Sequence, residues 1–309
     1  MNKTIKTNRI KDDKSIASAV FKMICITLLS FYALTIFFTF FWAIVSSLKT
    51  SDGYRLAALK IIPFSKQDAE YFTFKNYYDV FTKMTFRIVR GNSNTTVGMF
   101  GMLINSLVFS VGGAFFSALS CCVTAYAVVR FKNWMSGLIY TIVIVTMALP
   151  IVGSLPSELT VLRTLNLYDT RTGLVLLTAT FLGMHFLIFH ASFKAIPKDF
   201  AEAAKIDGAG EWRIFLTIMF PLVKLTFLTI FLLKFVQLWN NYETPNVHTP
   251  DLPVLALGVF RVKNKIYCPW ATDLHAYAVS IIVFIPILVF FLFTHKRLIG
   301  NLSMGGVKG

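Results

Sequence analysis

The side chains that most often carry chemistry are scattered along this 309-residue chain. His185 and His190 are five residues apart, so they do not share a helix face as a zinc-binding pair would. The four cysteines have no CxxC spacing and are Cys25, Cys121, Cys122 and Cys268. No G-x-x-x-x-G-K-[ST] nucleotide loop occurs. We therefore expect no catalytic residue, no metal and no cofactor in this chain.

One polar group lies inside a long apolar segment. Lys234 is ten residues beyond Lys224, about 15 Å along a helix, and Gln237, Asn240 and Asn241 extend its polar face. Ionisable groups within apolar helices usually face protein or water. One interpretation is a solute pathway lined by hydrogen-bonding groups. The alternatives are an interhelical hydrogen bond or a lysine that reaches outward.

A second polar group, Glu202–Gly208, separates two apolar segments. Asp199 followed by Glu202 has the spacing of a capping box, which predicts a helix start. Gly208 permits a left-handed helix end. A second short helix is predicted over 211–220, and Pro221 is expected to mark the turn into the next apolar segment. This helix–turn–helix is either a docking element for a partner or an amphipathic connector.

The composition predicts an all-α integral membrane protein. Hydrophobic residues make up 56% of the chain and charged residues only 15%, whereas soluble domains are about 45–50% apolar and about 25% charged. The net charge of +15 fits Lys and Arg flanking membrane spans, and we expect membrane lipid and no nucleic acid as a partner. The first apolar run is too long for a signal-peptide core and is predicted to remain as a span.

Six transmembrane helices are predicted from apolar runs of about 20 residues: 21–46, 102–129, 137–155, 173–193, 222–242 and 274–294. Pro150 and Pro156 interrupt the end of the third. With both termini in the cytoplasm, the cytoplasmic segments carry sixteen Lys and Arg residues, against thirteen in the longer outside loops. The positive-inside rule favours this orientation. It makes 48–97 an extracytoplasmic loop and 194–224 a cytoplasmic loop.

The cytoplasmic loop resembles the EAA signature of binding-protein-dependent ABC transporter permeases. The matching residues are Glu202, Ala203, Ala204, Asp207, Gly208, Ala209, Ile218 and Pro221. Phe220 departs from the leucine of many members. Other segments resemble the sugar-transporting branch, in the order expected of a subunit similar to the maltose-permease G type: 72–81, Asn105-Ser106, 124–131, 239–242 and 305–309.

The resemblance implies a permease domain over 23–298, between a cytoplasmic segment 1–22 and a cytoplasmic tail 299–309. The EAA loop would couple it to an ATPase. By resemblance the tail supplies a second ATPase contact through Gly305, Gly306, Val307, Lys308 and Gly309. The implied cargo is a carbohydrate, and the implied location is the bacterial cytoplasmic membrane.

The resemblance also implies partner chains. These are a second permease, expected as a heterodimer partner, an ATPase dimer that binds ATP and Mg, and an extracytoplasmic sugar-binding protein. Two alternatives remain open at the level of sequence: a stand-alone secondary transporter, and an ABC permease for a non-sugar solute. A membrane enzyme is disfavoured, since no acid, base or metal cluster lies at a membrane boundary.

Overall fold

The computed structural model describes residues 16–56, 72–90, 93–149 and 153–302. It divides into two compact units, Met1–Thr73 and Phe74–Gly309. In the first unit, α1 (Ile16–Ser47) is followed by α2 (Ser51–Leu56). An antiparallel bridge joins Lys49 to Phe72.

The second unit is built mainly of helices. Its elements, in chain order, are α3 (Lys75–Lys83), β1 (Phe86–Arg90), β2 (Ser93–Val97), α4 (Met99–Arg130), α5 (Trp134–Ala148), α6 (Leu155–Thr164), α7 (Arg171–Thr178), α8 (Met184–Lys194), α9 (Asp199–Ile206), α10 (Glu211–Trp239), α11 (Glu243–His248), α12 (Leu255–Lys263) and α13 (Asp273–Leu302).

The chain is mostly helical, as predicted, and one β-hairpin was not expected. β1 and β2 pair antiparallel from Phe86 opposite Val97 to Arg90 opposite Ser93. In β1, Phe86 and Ile88 are buried while Arg87 is exposed, which is the alternation of a half-buried strand. The loop 48–97 therefore contains a hairpin and short helices.

Four helices of the described residues are long and apolar enough to cross a membrane: Val20–Ser47 within α1, α4, α10 and Asp273–Phe293 within α13. The third predicted span is shorter than expected. α5 has 15 residues, about 22 Å, against a hydrocarbon core of about 30 Å. Leu149 is already extended, because the residue before a proline is disfavoured in the α conformation.

The fourth predicted span is two helices, not one. α7 ends at Thr178 and α8 begins at Met184, with Gly183 at φ +111° between them. The Thr180 hydroxyl accepts a hydrogen bond from the Leu182 amide, 3.1 Å, and so satisfies one backbone group inside the break. The sequence is apolar on both sides of the break, so hydropathy predicted one continuous helix.

α4 lies at the centre of the second unit. A π-helical turn, Val108–Gly112, interrupts it, and α7, α8 and α10 pack along it. A Cβ atom at Gly113 would stand 2.7 Å from both Leu238 Cδ1 and Thr178 Oγ1. The absence of a side chain at Gly113 therefore permits the close approach of α10 and α7.

Polar side chains fix the N-terminal part of α4. The buried Asn105 amide donates to the Pro253 carbonyl oxygen, 3.1 Å, and its oxygen accepts from Arg171, 3.0 Å. The Ser106 hydroxyl oxygen accepts from the Leu255 amide, 2.7 Å. We call these residues the buried clamp. It ties α4 to α7 and to the start of α12.

Candidate coupling surface

The opposite end of α4 meets the loop that contains Glu202 and Gly208. α9 turns one face inward, where Ala201 and Ala204 are buried in a core cluster with Phe193 and Ile214. The opposite face is open. We define the exposed apolar face as Phe200, Ala203, Ile206 and Trp212, of which Ile206 is 87% exposed and Trp212 71%. Apolar side chains exposed at a helix–turn–helix are suited to a protein partner.

The turn after α9 is closed by a Schellman motif. The Gly208 amide donates to the Lys205 carbonyl oxygen, 3.0 Å, and the Ala209 amide to that of Ala204, 2.9 Å. Gly208 has φ +81°, a conformation that costs an L-residue roughly 1–2 kcal/mol. A Cβ atom there would meet nothing within 4 Å. The glycine is therefore required by the backbone, and the space in front of it is free of the described chain. The predicted left-handed helix end is confirmed.

Two local predictions are wrong. Asp199 is the first residue of α9 and caps nothing, since the N-cap position is Lys198 and no side-chain cap bond forms. Asp199 and Glu202 remain in the first turn, where acidic groups favour the helix dipole. Pro221 marks no turn either, because one helix runs from Glu211 to Trp239.

A π-helical turn, Phe215–Met219, ends two residues before Pro221. Proline removes a backbone donor and clashes with the preceding turn of an α-helix, and π-helical turns are one way a helix accommodates such a disruption. Ile218 lies within that turn, half-buried against the core cluster that contains Ala201. Motion of the loop would therefore pass directly into α10.

Three charged residues join the loop to α4. Glu211, the first residue of α10, accepts from Arg130 Nε at 3.2 Å and from Lys205 Nζ at 2.5 Å. Arg130 ends α4, and Lys205 lies in the last turn of α9. We call this the ion network. The candidate residues chosen from sequence did not include Arg130 or Glu211. The sequence did offer a signal for this pair. Arg130 directly follows the predicted span 102–129, and Glu211 begins the predicted helix 211–220.

An aromatic cluster lies one turn from the ion network. The ring of Tyr126, on α4, is 5.5 Å from that of Phe193 on α8 and 4.9 Å from that of Phe215 on α10. All three residues are buried. Close-packed aromatic rings transmit displacement because they have no free volume to absorb it. The loop is thus connected mechanically to three helices.

The four residues predicted to line a pathway, Lys234, Gln237, Asn240 and Asn241, differ in their surroundings. The Asn240 amide donates to Val236 in its own helix, 2.8 Å. Asn241 bonds twice to Thr244, once through its oxygen to the backbone amide, each at 3.0 Å, and so organises the start of α11. Lys234 is half-buried and Gln237 is exposed.

Lys234 lies near His185 on α8 and Cys121 on α4. These positions border the break between α7 and α8, since the Cys121 thiol contacts the Thr180 carbonyl oxygen at 3.6 Å. A polar group therefore lies inside the bundle beside an unwound segment. The tail, 305–309, is outside the described residues.

The candidate spans and the family match together define a membrane transport component. The chain belongs to the family described as binding-protein-dependent transport system inner membrane component, whose profile matches residues 118–303. Its fold is similar to that of a bacterial ABC transporter involved in the import of the acidic polysaccharide alginate, with a TM-score of 0.74. That match has 19% identity and covers 91% of this chain and 98% of the other.

Individual relatives are named for different solutes. A sn-glycerol-3-phosphate transport system permease protein of Yersinia pestis bv. Antiqua is 36% identical over 170 residues, which are 52% of this chain and 56% of that protein. A diacetylchitobiose uptake system permease protein of Streptomyces coelicolor is 26% identical over 291 residues, 92% of this chain and 88% of that protein. The match to the first relative thus spans little more than half of its length.

Proposed function

We propose that this protein is a permease subunit of an ABC importer for carbohydrate, forms half of a translocation pathway and is driven by a separate ATPase. The observation that carries the proposal is the loop around Gly208. Its exposed apolar face is open, its turn is stiffened by a Schellman motif, and its ion network and aromatic cluster lead into the helix bundle. Such an element has the construction required of a force-receiving contact.

The proposed topology has six spans with both termini in the cytoplasm. They are α1, α4, α5, the broken pair α7–α8, α10 and α13. The ATPase dimer supplies the ATP and Mg sites and receives the EAA residues, with the turn at Asp207 and Gly208 reaching deepest. The tail at 305–309 makes a second contact with it. A second permease completes the pathway, and an extracytoplasmic binding protein delivers the sugar.

In the pathway, Lys234 and Gln237 are the proposed lining residues of this chain. Their support is the polar environment around Lys234 and the neighbouring break between α7 and α8, because irregular backbone within a membrane is tolerated where it borders protein or water. Asn240 and Asn241 belong to the same proposed face. Because their amides already have partners within the chain, we expect them to contact the solute less than Lys234 and Gln237 do.

A second candidate cargo is a phosphorylated polyol. It is favoured by the relative named for sn-glycerol-3-phosphate. A stand-alone secondary transporter has less support, because the family is one of binding-protein-dependent systems and secondary transporters typically use paired broken helices. One broken helix is present among the described spans.

The test is co-purification followed by ATPase measurement. The tagged chain, expressed with its neighbouring genes, is expected to bring down an ATPase and a second membrane subunit. Hydrolysis in proteoliposomes is expected to rise when a binding protein loaded with oligosaccharide is added. Stimulation by glycerol 3-phosphate instead would favour the second cargo. Solute uptake without any ATPase would overturn the proposal.

A further inference from the structure

A cavity of about 660 Å³ opens beside the ion network, within the ~300–1,000 Å³ typical of small-molecule sites. It lies where the ends of α4 and α8 approach the start of α9. Its charged lining consists of Arg130, Lys132, Lys194, Lys198 and one carboxylate, Glu202. Apolar side chains, among them Val128 and Ile196, form the rest of the wall. The cavity thus combines an excess of positive charge with apolar surface.

The three lysines lack an ionic counterpart. Arg130 is held by Glu211, but in the described ranges no carboxylate lies within 4 Å of the ammonium group of Lys132, Lys194 or Lys198. The neighbouring ammonium group of Lys198, followed by desolvation and then by the charge of Lys194, lowers the pKa of Lys132. Like charges gathered without a counter-charge are unfavourable, and an anion in the cavity would offset their repulsion.

The surroundings indicate the depth of the cavity in the membrane. Trp134 begins α5 two residues after Lys132 and is 77% exposed. Exposed tryptophans are typical of the level of lipid headgroups. Basic pockets between helices on the cytoplasmic side are suited to anionic lipid headgroups. A free anion would share the phosphate chemistry but would have no use for the apolar wall.

We propose that this cavity binds the phosphate of an anionic phospholipid headgroup through Lys132, Lys194 and Lys198. The inference rests on the cytoplasmic orientation proposed above. Lys132 follows α4, Lys194 ends α8 and Lys198 precedes α9, so one headgroup would join three elements that the coupling loop must move. The bound lipid would therefore brace the loop, and transport would depend on the anionic lipid content of the membrane.

The test compares two variants with equal change of charge. The assembled transporter is reconstituted in nanodiscs of phosphatidylglycerol and phosphatidylcholine, released, and examined by native mass spectrometry for retained lipid. K132Q/K198Q is expected to lower phosphatidylglycerol retention about fivefold per lysine, or about twenty-five-fold in total. The control, K224Q/K263Q, removes two exposed lysines outside the cavity and is expected to retain the wild-type amount. K132R/K198R keeps the charge and is expected to retain most of it.

Each other outcome counts against the site. Equal loss in the control would mean general surface attraction, and equal retention of phosphatidylcholine would mean apolar contact alone. In detergent without lipid, thermal stabilisation by inorganic phosphate that requires Lys132 and Lys198, combined with no retained phosphatidylglycerol, would identify a free anion. Retention is measured without ATP hydrolysis, so its result is separate from the fate of the proposed coupling. Both substituted lysines are exposed, and gel filtration checks that the variants remain assembled.

Discussion

The two ends of α4 are held by different kinds of contact. Near its start, the buried clamp joins neutral amides and a hydroxyl to backbone groups and Arg171. At its end, the ion network is partly exposed, with the Glu211 side chain 31% accessible. Buried hydrogen bonds are costly to leave unmade, whereas exposed ion pairs are weak and exchange readily with water or a partner. We therefore expect the clamped end to stay in place and propose that the ion-paired end is the one that moves; we call them the fixed end and the movable end.

The largest expected effect comes from the turn at the movable end. Gly208→Asp places an L-residue at φ +81° and adds a side chain on the open side of the turn. The strain alone corresponds to roughly 1–2 kcal/mol. Transport and ATPase stimulation are therefore expected to fall by about fivefold to thirtyfold, while the amount of inserted protein stays the same. Uptake assays and hydrolysis in proteoliposomes measure both quantities.

Gly210→Asp is the matched control for that substitution. Gly210 lies two residues away with φ −69°, and a Cβ atom there also meets nothing within 4 Å. It adds the same charge to the loop without backbone strain, so a milder loss is expected. Normal transport and normal ATPase stimulation in Gly208→Asp would refute the coupling role of the turn.

At the fixed end, Asn105→Ala is expected to reduce stability more than coupling. It leaves the Pro253 carbonyl oxygen without its buried donor, at a cost of about 1–3 kcal/mol in the free energy of unfolding, whereas the exposed Arg171 can bond to water instead. Thermal unfolding in detergent measures the loss. Asn264→Ala is the control, since the exposed Asn264 amide bonds only to Phe260 in its own helix, and a change within about 0.5 kcal/mol is expected. Equal losses of stability in Asn105→Ala and Asn264→Ala would show that the buried clamp does not hold the start of α4 more firmly than an exposed hydrogen bond does.

The ion network gives a smaller effect, and a double-mutant cycle isolates it. Glu211→Gln and Arg130→Gln each weaken the link between α10 and α4, and each is expected to lower ATPase stimulation up to about fivefold, the limit for a partly exposed pair. The double variant is expected to be no worse than the single variants, because the pair acts as one contact. Additive losses would show that the two residues act independently of one another.

The sequence predicted the turn at Gly208 correctly, because its signal is local. Gly208 ends α9 in the expected left-handed conformation. Among the predicted loop residues it is the one whose positive φ favours glycine over every other residue type. The Asp199 cap failed because Lys198 already has helical dihedrals. The turn at Pro221 failed because a π-helical turn absorbs the proline. Both depend on packing that a residue pattern does not report.

Local sequence patterns did not predict the buried clamp at the fixed end or the break between α7 and α8. The partners of Asn105 are 66 and 148 residues away in sequence, so its type alone gave no contact. The break at 179–183 lies in an apolar run, where the Leu182 amide bonds to the Thr180 hydroxyl and the Thr180 carbonyl oxygen accepts from Cys121 on another helix. Hydropathy measures the length of an apolar run and does not detect whether the backbone within it is helical.

The smallest expected effect lies between the two ends, among the polar residues of α10. Lys234→Met removes a half-buried charge beside His185 and the broken span, and uptake is expected to fall less than ATPase stimulation does in the ion-network variants, with ATPase stimulation kept. Asn240→Ala removes an amide that already bonds to its own helix, and uptake is expected to stay at the wild-type level. Initial rates of labelled solute uptake measure both. A loss of uptake in Asn240→Ala together with normal uptake in Lys234→Met would contradict the proposed roles of these two residues. The solute would then contact Asn240, whose amide already has a partner, and would not contact Lys234.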